Sequence, residues 1–273
     1  MKEYYRVYAD IDLDAIYENV KNAKALLKKD TKMMAIVKAD GYGHGAVEVA
    51  RQIDELVDAY GVAILEEGIE LRKAGFTKPI LILGYTPKPL YPAMIRYDIA
   101  TAVFTMEMAK EISDTAVAMH KNANIHIKLD TGMSRIGFAI TKESKEIIEQ
   151  IAKLPGIEIK GCFSHFARMD EKDKTKANEQ FAKFTKMVNA LEKDGVDLGI
   201  RHISNSAGIM EAPEVQMDMV RNGICLYGLY PSEEVQGIPV TVTWSGSASS
   251  PSNSTFKSSV LGMLLPNTKL PKL

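Results

Sequence analysis

Eight short apolar runs, each followed by a loop and an amphipathic segment of helical periodicity, limit what this chain can fold into. We predict a strand at each run: 33–38, 61–65, 80–83, 99–103, 125–129, 158–163, 200–203 and 217–220. Strands that alternate with helices pair in parallel, because each parallel connection needs a crossover segment. Eight such units predict a closed (β/α)8 barrel of the TIM type, an α/β fold of about 250 residues. A doubly wound open sheet is the alternative.

The composition changes abruptly after Val235. The stretch 236–256 contains no charged residue, and serine is frequent between Ser245 and Ser259. A segment of this kind offers few side chains that could pack in a core. We therefore predict a barrel domain over residues 4–235 and an unstructured tail over 236–273, in which Thr241–Trp244 could form a short strand.

The charge balance and the cysteine content exclude several classes of partner and location. The 34 basic and 35 acidic residues nearly cancel, which disfavours nucleic acids and anionic membranes as partners. No apolar run reaches the length of about 18 residues that predicts a membrane span, and the polar first residues do not resemble a signal peptide. Cys162 and Cys225 lie in apolar runs and are too few for a disulfide framework. We expect a cytoplasmic protein with reduced thiols.

Reactive side chains follow the predicted strands at their carboxyl ends, where a (β/α)8 barrel carries its active site. They are Lys38, Lys128, Asp130, His165, Asn205, Ser206 and Arg221. Lys38 is the best candidate, because an apolar strand leads directly into it and the loop 39–45 follows. A lysine removed from bulk water loses its proton more easily and becomes a nucleophile. The alternative is a lysine at a strand end that reaches solvent.

The fifth predicted strand alternates strictly between apolar and polar side chains. In a barrel its polar set, His126, Lys128 and Asp130, would point inward while the apolar set faces the helices. Polar groups inside a barrel must bond to one another or to a ligand. The alternative, a surface strand of an antiparallel sheet, conflicts with the surrounding strand–helix pattern.

Two loops rich in hydrogen-bond donors predict a phosphorylated ligand. The run 204–208 lies at a predicted helix N-terminus, which can seat an anion, and the run 221–224 follows the eighth strand. Phosphate sites in (β/α)8 barrels are commonly built from the loops after strands seven and eight. A plain helix cap is the alternative for the first loop, and an isolated histidine such as His165 is more often structural than catalytic.

Three segments, 35–45, 128–137 and 221–228, resemble the alanine racemase family, and the resemblance extends in order over about residues 4–235. It implies that the cofactor pyridoxal 5'-phosphate (PLP) is covalently attached to Lys38, which would also be the base that acts on the D-amino acid. The implied phosphate-binding residues are Tyr42, Ser206, Gly223 and Ile224, with Asn205 nearby.

The resemblance also assigns roles around the PLP ring. His165 would pack along the pyridine ring, and Arg135 would bind the ring hydroxyl and contribute to substrate binding. Lys128, which is carbamylated in many relatives, would hold Arg135 in place. Arg221 would face the ring nitrogen and keep it unprotonated, because arginine does not give up its proton. That would limit side reactions such as transamination, and no metal ion is implied.

The family continues into a β-rich C-terminal domain, which supplies a tyrosine as the base on the opposite face of the substrate across a dimer interface. Here the family pattern stops near residues 231–235, and no tyrosine follows Tyr230. We expect a truncated or frame-disrupted copy that binds PLP but interconverts L-alanine and D-alanine slowly or not at all. The family supplies D-alanine for cell-wall peptidoglycan and is homodimeric, but the resemblance leaves open whether this chain dimerises.

Two other functions compete with an amino-acid racemase. A non-catalytic barrel that binds and carries PLP is the main alternative, and the length of the chain favours it. The motifs around Tyr42, Arg135 and Arg221 favour the racemase. A decarboxylase-type barrel is disfavoured, because Arg221 would oppose the strong electron withdrawal that decarboxylation needs.

Overall fold

A computed structural model describes residues 7–248 of the chain. Its strands and helices are, in chain order, β1 (Val7–Ile11), α1 (Leu13–Ala25), β2 (Lys32–Ile36), α2 (Lys38–Gly43), α3 (Ala46–Ile53), β3 (Ala59–Val62), α4 (Leu65–Lys73), β4 (Ile80–Ile82), α5 (Tyr91–Arg96), β5 (Ala100–Val103), α6 (Met106–Ala118), β6 (Ala123–Asp130), β7 (Phe138–Ala139), α7 (Lys142–Ile151), β8 (Ile157–Phe163), α8 (Thr175–Lys193), β9 (Ile200–His202), α9 (Ser206–Glu211), β10 (Met219–Asn222) and β11 (Trp244–Ala248). Short 3-10 helices lie at Asp54–Leu56, Lys88–Leu90, Pro213–Val215 and Ile224–Tyr227.

The central sheet is a barrel of eight parallel strands, in the spatial order β10-β2-β3-β4-β5-β6-β8-β9, with the short β7 paired to β6. Backbone hydrogen bonds close the barrel between its two end strands. The Asp218 N–H group donates to the Arg201 carbonyl at 3.2 Å, and the Arg221 N–H group donates to the Ser204 carbonyl at 3.0 Å. The structure therefore confirms the (β/α)8 prediction and rules out an open sheet.

Each of the eight predicted strands corresponds to a barrel strand, and the second shows the largest shift in position. It is predicted at 61–65 but runs from Ala59 to Val62, because α4 begins at Leu65. The Glu67 carboxylate accepts hydrogen bonds from the Ala63 and Ile64 N–H groups at 2.7 and 3.4 Å. This helix cap ends the strand earlier than the apolar run does.

Apolar side chains form two layers, one between the barrel and its helices and one inside the barrel. The inner layer consists of Met34, Ile36, Ala59, Leu81, Ala100, Ala102, Phe163 and Met219. In β6, Ile125 and Ile127 belong to the outer layer, whereas His126 and Lys128 are 6% and 3% exposed and lie against the inner Phe163. The inward orientation predicted for these two polar residues is confirmed.

Asp130 departs from that prediction. Its carboxylate does not join the barrel interior but accepts hydrogen bonds from the backbone N–H groups of Gly132, Met133 and Ser134, each at 3.0 Å. Three convergent amides satisfy an ionised carboxylate better than an apolar interior would. Asp130 therefore organises the loop that leads to Arg135.

The chain stays packed on the barrel beyond Val235, where we predicted an unstructured tail to begin. Ile238 and Thr243 are buried, and β11 pairs antiparallel with β1. Asn19 of α1 holds the segment with two hydrogen bonds, to the Thr241 carbonyl at 2.9 Å and from the Thr241 N–H group at 2.8 Å. This packing corrects the start of the tail. The remainder of the prediction, 249–273, lies outside the described residues.

The described part of the chain contains no helix that combines the length and the apolar character needed to cross a membrane. Both Cys162 and Cys225 are buried free thiols, as expected for residues in apolar strands and turns.

Candidate active site

A cavity of about 370 Å³ opens at the carboxyl ends of the barrel strands. All residues to which the family resemblance assigns a role line it: Lys38, Tyr42, Lys128, Arg135, His165, Asn205, Ser206, Arg221, Gly223 and Ile224. Asp130, also predicted at this end of the barrel, is not among the lining residues. Sequence reasoning missed further lining residues, which are Ile36, Leu83, Met133, Phe163, Phe166, Ala167, Asp170, Ala207 and Pro231. Most of these residues follow the same strands as the predicted residues. Their position after a strand is therefore the sequence feature that could have identified them.

We predicted that Lys38 ends a strand, but it begins α2, which is a left-handed turn. The strand stops at Ile36, and the residues after Lys38 have positive φ angles: Ala39 52°, Asp40 52°, Gly41 59° and Tyr42 53°. This conformation costs roughly 1–2 kcal/mol for each residue other than glycine. Strain of this kind persists only where surrounding contacts impose it, and it is typical of functional sites.

Three hydrogen bonds impose the turn. The Gly41 N–H group donates to the Val37 carbonyl at 2.9 Å. The Asp40 carboxylate accepts from the Ala46 N–H group at 2.8 Å, which ties the turn to the start of α3. The Ala39 N–H group donates to the carboxylate of Glu67, in α4, at 2.7 Å. The turn is therefore anchored to the elements on both sides, and the direction of the Lys38 side chain is constrained.

The surroundings of Lys38 lower the pKa of its amine. The side chain is partly buried, and its Nζ lies 5.6 Å from the centre of the Tyr42 ring. Burial and the positive charge of Arg135 lower the pKa of Lys38, while Glu67 opposes them. A lysine with a lowered pKa is a better nucleophile and base near neutral pH.

Tyr42 stays a hydrogen-bond donor at physiological pH. Burial and the charge of Glu67 raise the pKa of Tyr42 to about 12. Its ring packs edge-on against Tyr227 with the ring centres 5.0 Å apart, and the Tyr227 hydroxyl donates to the Ile36 carbonyl at 2.9 Å. The strand that leads to Lys38 is thus connected to the loop after the eighth barrel strand.

Arg221 is buried, at 4% exposed, and its guanidinium is satisfied by neutral acceptors. It donates to the carbonyls of Ser164 at 2.7 Å, Ile203 at 3.1 Å and His202 at 3.2 Å. It also lies 2.9 Å from His202 Nδ1 and 3.2 Å from His165 Nδ1. Because a guanidinium can only donate, both Nδ1 atoms must accept and both rings carry their proton on Nε2.

This tautomer assignment extends to a third ring. His202 Nε2 lies 3.0 Å from His126 Nδ1, so His202 donates and His126 accepts. Burial and the charge of Arg221 lower the pKa of His126 to about 3, and the pKa of His165 also to about 3. The same causes hold the pKa of His202 well below its usual range. We name Arg221, His165, His202 and His126 the Arg221 network. Sequence reasoning had not singled out His202.

The two loops predicted to seat a phosphate are in contact. Asn205 is the helix cap foreseen as an alternative, since its Oδ1 accepts from the Gly208 N–H group at 3.1 Å. The Ser206 hydroxyl accepts from the Gly223 N–H group at 3.1 Å. A Cβ atom at Gly223 would meet nothing nearer than Ile36 at 3.8 Å. Because Gly223 and Ile36 both line the cavity, such an atom would occupy cavity space.

Lys128 and Arg135 both line the cavity, and the Lys128 side chain is an unmodified amine. The Lys128 amine donates to the Leu129 carbonyl at 2.8 Å, because an ammonium and a guanidinium are both donors and repel each other. Burial and the charge of Arg221 lower the pKa of Lys128 to about 8. Among residues 7–248, no group of three or more His, Cys, Asp or Glu residues could hold a metal ion.

Residues 11–231 match the family model of the alanine racemase N-terminal domain. The alanine racemase of Clostridium tetani is 48% identical over 230 residues, which are 84% of this chain and 59% of the relative. The alanine racemase of Methanococcus maripaludis is 45% identical over 230 residues, again 84% of this chain and 62% of the relative. The chain thus spans about three fifths of the length of the curated relatives it matches.

Solved structures of the same kind match in three dimensions. The alanine racemase of Clostridium difficile 630 in complex with cycloserine has a TM-score of 0.89 at 40% identity and covers 90% of this chain and 69% of that chain. The alanine racemase of Bacillus anthracis with bound L-Ala-P has a TM-score of 0.85 at 33% identity and covers 90% of this chain and 64% of that chain.

Proposed function

The chain belongs to the alanine racemase N-terminal domain family, and we propose that it forms the PLP-binding barrel of an enzyme that interconverts L-alanine and D-alanine. D-alanine made in this way would supply cell-wall peptidoglycan. The observation that carries the proposal is a single cavity at the carboxyl ends of the strands. It combines the Lys38 amine, the Arg221 guanidinium and the loops after the seventh and eighth barrel strands.

The cavity fits PLP in volume and in the chemistry of its walls. PLP presents an aldehyde, a phosphate and a pyridine nitrogen, which need an amine, several donors and a polar neighbour. Lys38 would supply the amine, and Ser206, Gly223 and Ile224, which line the same cavity, would supply the hydroxyl and backbone donors for the phosphate. The space that a Cβ at Gly223 would fill lets backbone and ligand approach closely. The volume of about 370 Å³ is within the usual range for cofactor sites, about 300–1,000 Å³.

When bound, PLP supplies electron withdrawal that acidifies the α-hydrogen of the amino acid. The residues of this chain would hold the cofactor and act on one face of the amino acid. Lys38, whose pKa is lowered, would hold PLP through its aldehyde and would remove or return the α-proton at Nζ. Burial lowers the pKa of Arg221 to about 9, which still leaves its guanidinium charged at neutral pH. As a cation, Arg221 would neither accept a proton from the ring nitrogen nor readily give one to it, so the electron withdrawal would stay moderate.

Lys128 is proposed to act as a carbamate. With its pKa lowered to about 8, a substantial fraction of the amine is neutral at physiological pH, and the neutral amine is the form that adds CO2. The product, a carbamate, is an anion and would pair with Arg135. The ammonium form of Lys128 repels Arg135 instead. Arg135 would then be held at the cavity, where it binds the ring hydroxyl and the substrate.

The substrate in this proposal is a small amino acid, alanine. It is supported by the relatives solved with cycloserine and with L-Ala-P. Racemisation also needs a group that adds the proton from the opposite face. We assign that role to the part of the relatives that this chain does not match, which also would provide the dimer contacts. Buried free thiols at Cys162 and Cys225 favour the reducing cytoplasm.

Titration of the purified chain with PLP, followed by absorbance, tests the cofactor site. We expect the absorbance band of PLP joined to a lysine in the wild type and its loss in Lys38→Ala. Lys32→Ala is the matched control, because Lys32 lies at the exposed opposite end of the same strand, β2. Uptake by Lys38→Ala equal to that of the wild type would refute the proposal.

A coupled assay for D-alanine then separates a racemase from a carrier. Formation of D-alanine from L-alanine above the Lys38→Ala background supports the racemase. The barrel alone should take up PLP without forming D-alanine if the second proton-transfer group lies in the part of the relatives that this chain does not match. The carrier is therefore supported only if the α-hydrogen of D-alanine also fails to exchange with solvent deuterium above the Lys38→Ala background.

A further inference from the structure

One carboxylate, that of Glu67, connects the loops that follow two neighbouring barrel strands. Its Oε2 accepts the two hydrogen bonds from Ala63 and Ile64 that cap α4, an ordinary arrangement for the third residue of a helix. Its Oε1 accepts a third bond, from the Ala39 N–H group at 2.7 Å. Because Ala39 directly follows Lys38, the carboxylate reaches from the start of α4 to the turn that carries Lys38.

Capping of α4 does not require the bond to Ala39, since that amide belongs to a different loop. Ala39 starts the left-handed run with a φ of 52°, which alanine adopts only where neighbouring contacts impose it. A hydrogen bond to an ionised carboxylate is among the strongest that a backbone amide can make. Glu67 therefore anchors the beginning of the turn, as Asp40 anchors its end at Ala46.

Glu67 also supplies the negative charge that acts on Lys38. The titratable side chains that line the cavity with Lys38 are Tyr42, Lys128, Arg135, His165, Asp170 and Arg221, and Asp40 lies within the turn. Burial and the charge of Arg135 lower the pKa of Lys38, whereas the charge of Glu67 raises it. Loss of that charge should lower the Lys38 pKa further, and loss of the bond should free the Ala39 amide.

We propose that Glu67 is a positioning residue for Lys38, whose carboxylate clamps the left-handed turn against the loop after β3 and sets the electrostatic environment of the amine. This inference rests on the proposed function, because it takes Lys38 as the cofactor-binding lysine. Glu67 does not line the cavity and acts on the reaction only through the turn.

Glu67→Gln is the informative variant. A glutamine has one acceptor oxygen in place of two and no charge, so any bond that it keeps to the Ala39 amide loses the strengthening that an ionised acceptor gives. Glu66→Gln is the matched control, because Glu66 lies in the same first turn of α4 and is exposed. It removes an equal charge from the same helix N-terminus. Glu67→Asp keeps the negative charge and tests whether a shorter carboxylate restores the wild-type behaviour of Lys38.

Two measurements on the full chain without PLP give the answer. Trace acetylation at a series of pH values, with the Lys38 peptide quantified by mass spectrometry, yields the Lys38 pKa. We expect Glu67→Gln to lower it by about half a unit or more, Glu67→Asp to restore it and Glu66→Gln to leave it unchanged. Hydrogen exchange of the Ala39 amide should become about tenfold faster in Glu67→Gln and stay the same in Glu66→Gln.

An unchanged Lys38 pKa or an unchanged exchange rate at Ala39 in Glu67→Gln overturns the proposal. This holds even if the variant unfolds at lower urea concentration, because lost capping of α4 would explain that alone. Failure of the proposed function would look different. A wild-type chain that does not attach PLP would refute that function, but the Lys38 pKa and the Ala39 exchange rate are measured without PLP and would still test the role of Glu67.

Discussion

Gly161→Ala tests whether the packing of His126 controls the Arg221 network. A Cβ atom at residue 161 would lie 2.3 Å from His126 Nδ1 and 2.8 Å from the Ile200 carbonyl oxygen. Atoms in proteins do not approach so closely, so the imidazole must move away. The 3.0 Å hydrogen bond between His126 and His202 is then lost, and Arg221 is left as the remaining side-chain hydrogen-bond partner of the His202 ring.

The expected cost follows from these contacts. Overpacking of a core position costs about 1–3 kcal/mol, and the lost hydrogen bond adds about 1 kcal/mol. Gly161→Ala should therefore lower the free energy of unfolding by about 2–4 kcal/mol. In a chain that already carries His126→Ala, the ring is absent and only the conflict with Ile200 remains. There the same substitution should cost about 1–2 kcal/mol less.

Urea unfolding followed by circular dichroism measures this difference in four chains: wild type, Gly161→Ala, His126→Ala and the double variant. A coupling energy of about 1–2 kcal/mol between the two sites supports the described packing. The reasoning is refuted if Gly161→Ala costs the same in both backgrounds, because the clash with His126 would then not exist.

Three further predictions concern the cavity and its loops. Gly223→Ala should weaken PLP binding about tenfold or more in a titration while unfolding in urea stays unchanged, because its Cβ meets only Ile36 at 3.8 Å. The pKa of Lys128 is about 8 in the folded chain and 10.5 in the unfolded chain. The buried charge therefore destabilises the fold fully below pH 8, and this destabilisation disappears as the pH rises from 8 to 10.5. In buffer free of CO2, where the amine is unmodified, Lys128→Met should thus exceed the wild type in stability at pH 7, by up to about 3 kcal/mol, and lose this advantage by pH 10. Asp130→Ala should lower the free energy of unfolding by about 1–3 kcal/mol and speed hydrogen exchange in the loop before Arg135; exchange at the wild-type rate would contradict the role given to Asp130.

Much of the barrel was predictable because the signal is local. Each strand is a short apolar run, and each helix repeats apolar residues at spacings of three and four, so all eight strands were found within a few residues. The position of Lys38 after a strand likewise predicted its place at the cavity. The alternation in β6 predicted that His126 and Lys128 point inward, as they do.

Contacts between distant parts of the chain, and contacts that depend on the course of a loop, were not predictable. The turn after Lys38 places Ala39, Asp40 and Tyr42 at positive φ as well as the glycines and depends on Glu67 in another loop, so the glycines alone do not indicate its course. Asp130 alternates like an inward residue, but three amides of its own loop capture it. Thr241 is held by Asn19, which composition alone could not show for an uncharged segment.

Peptide mapping after borohydride reduction tests the central claim most directly, because it locates the residue to which PLP is joined. The full chain is loaded with PLP, reduced, digested and analysed by mass spectrometry. Our account predicts the added mass on the peptide that contains Lys38, at one PLP per chain. A chain labelled mainly on another lysine, Lys128 included, would contradict it.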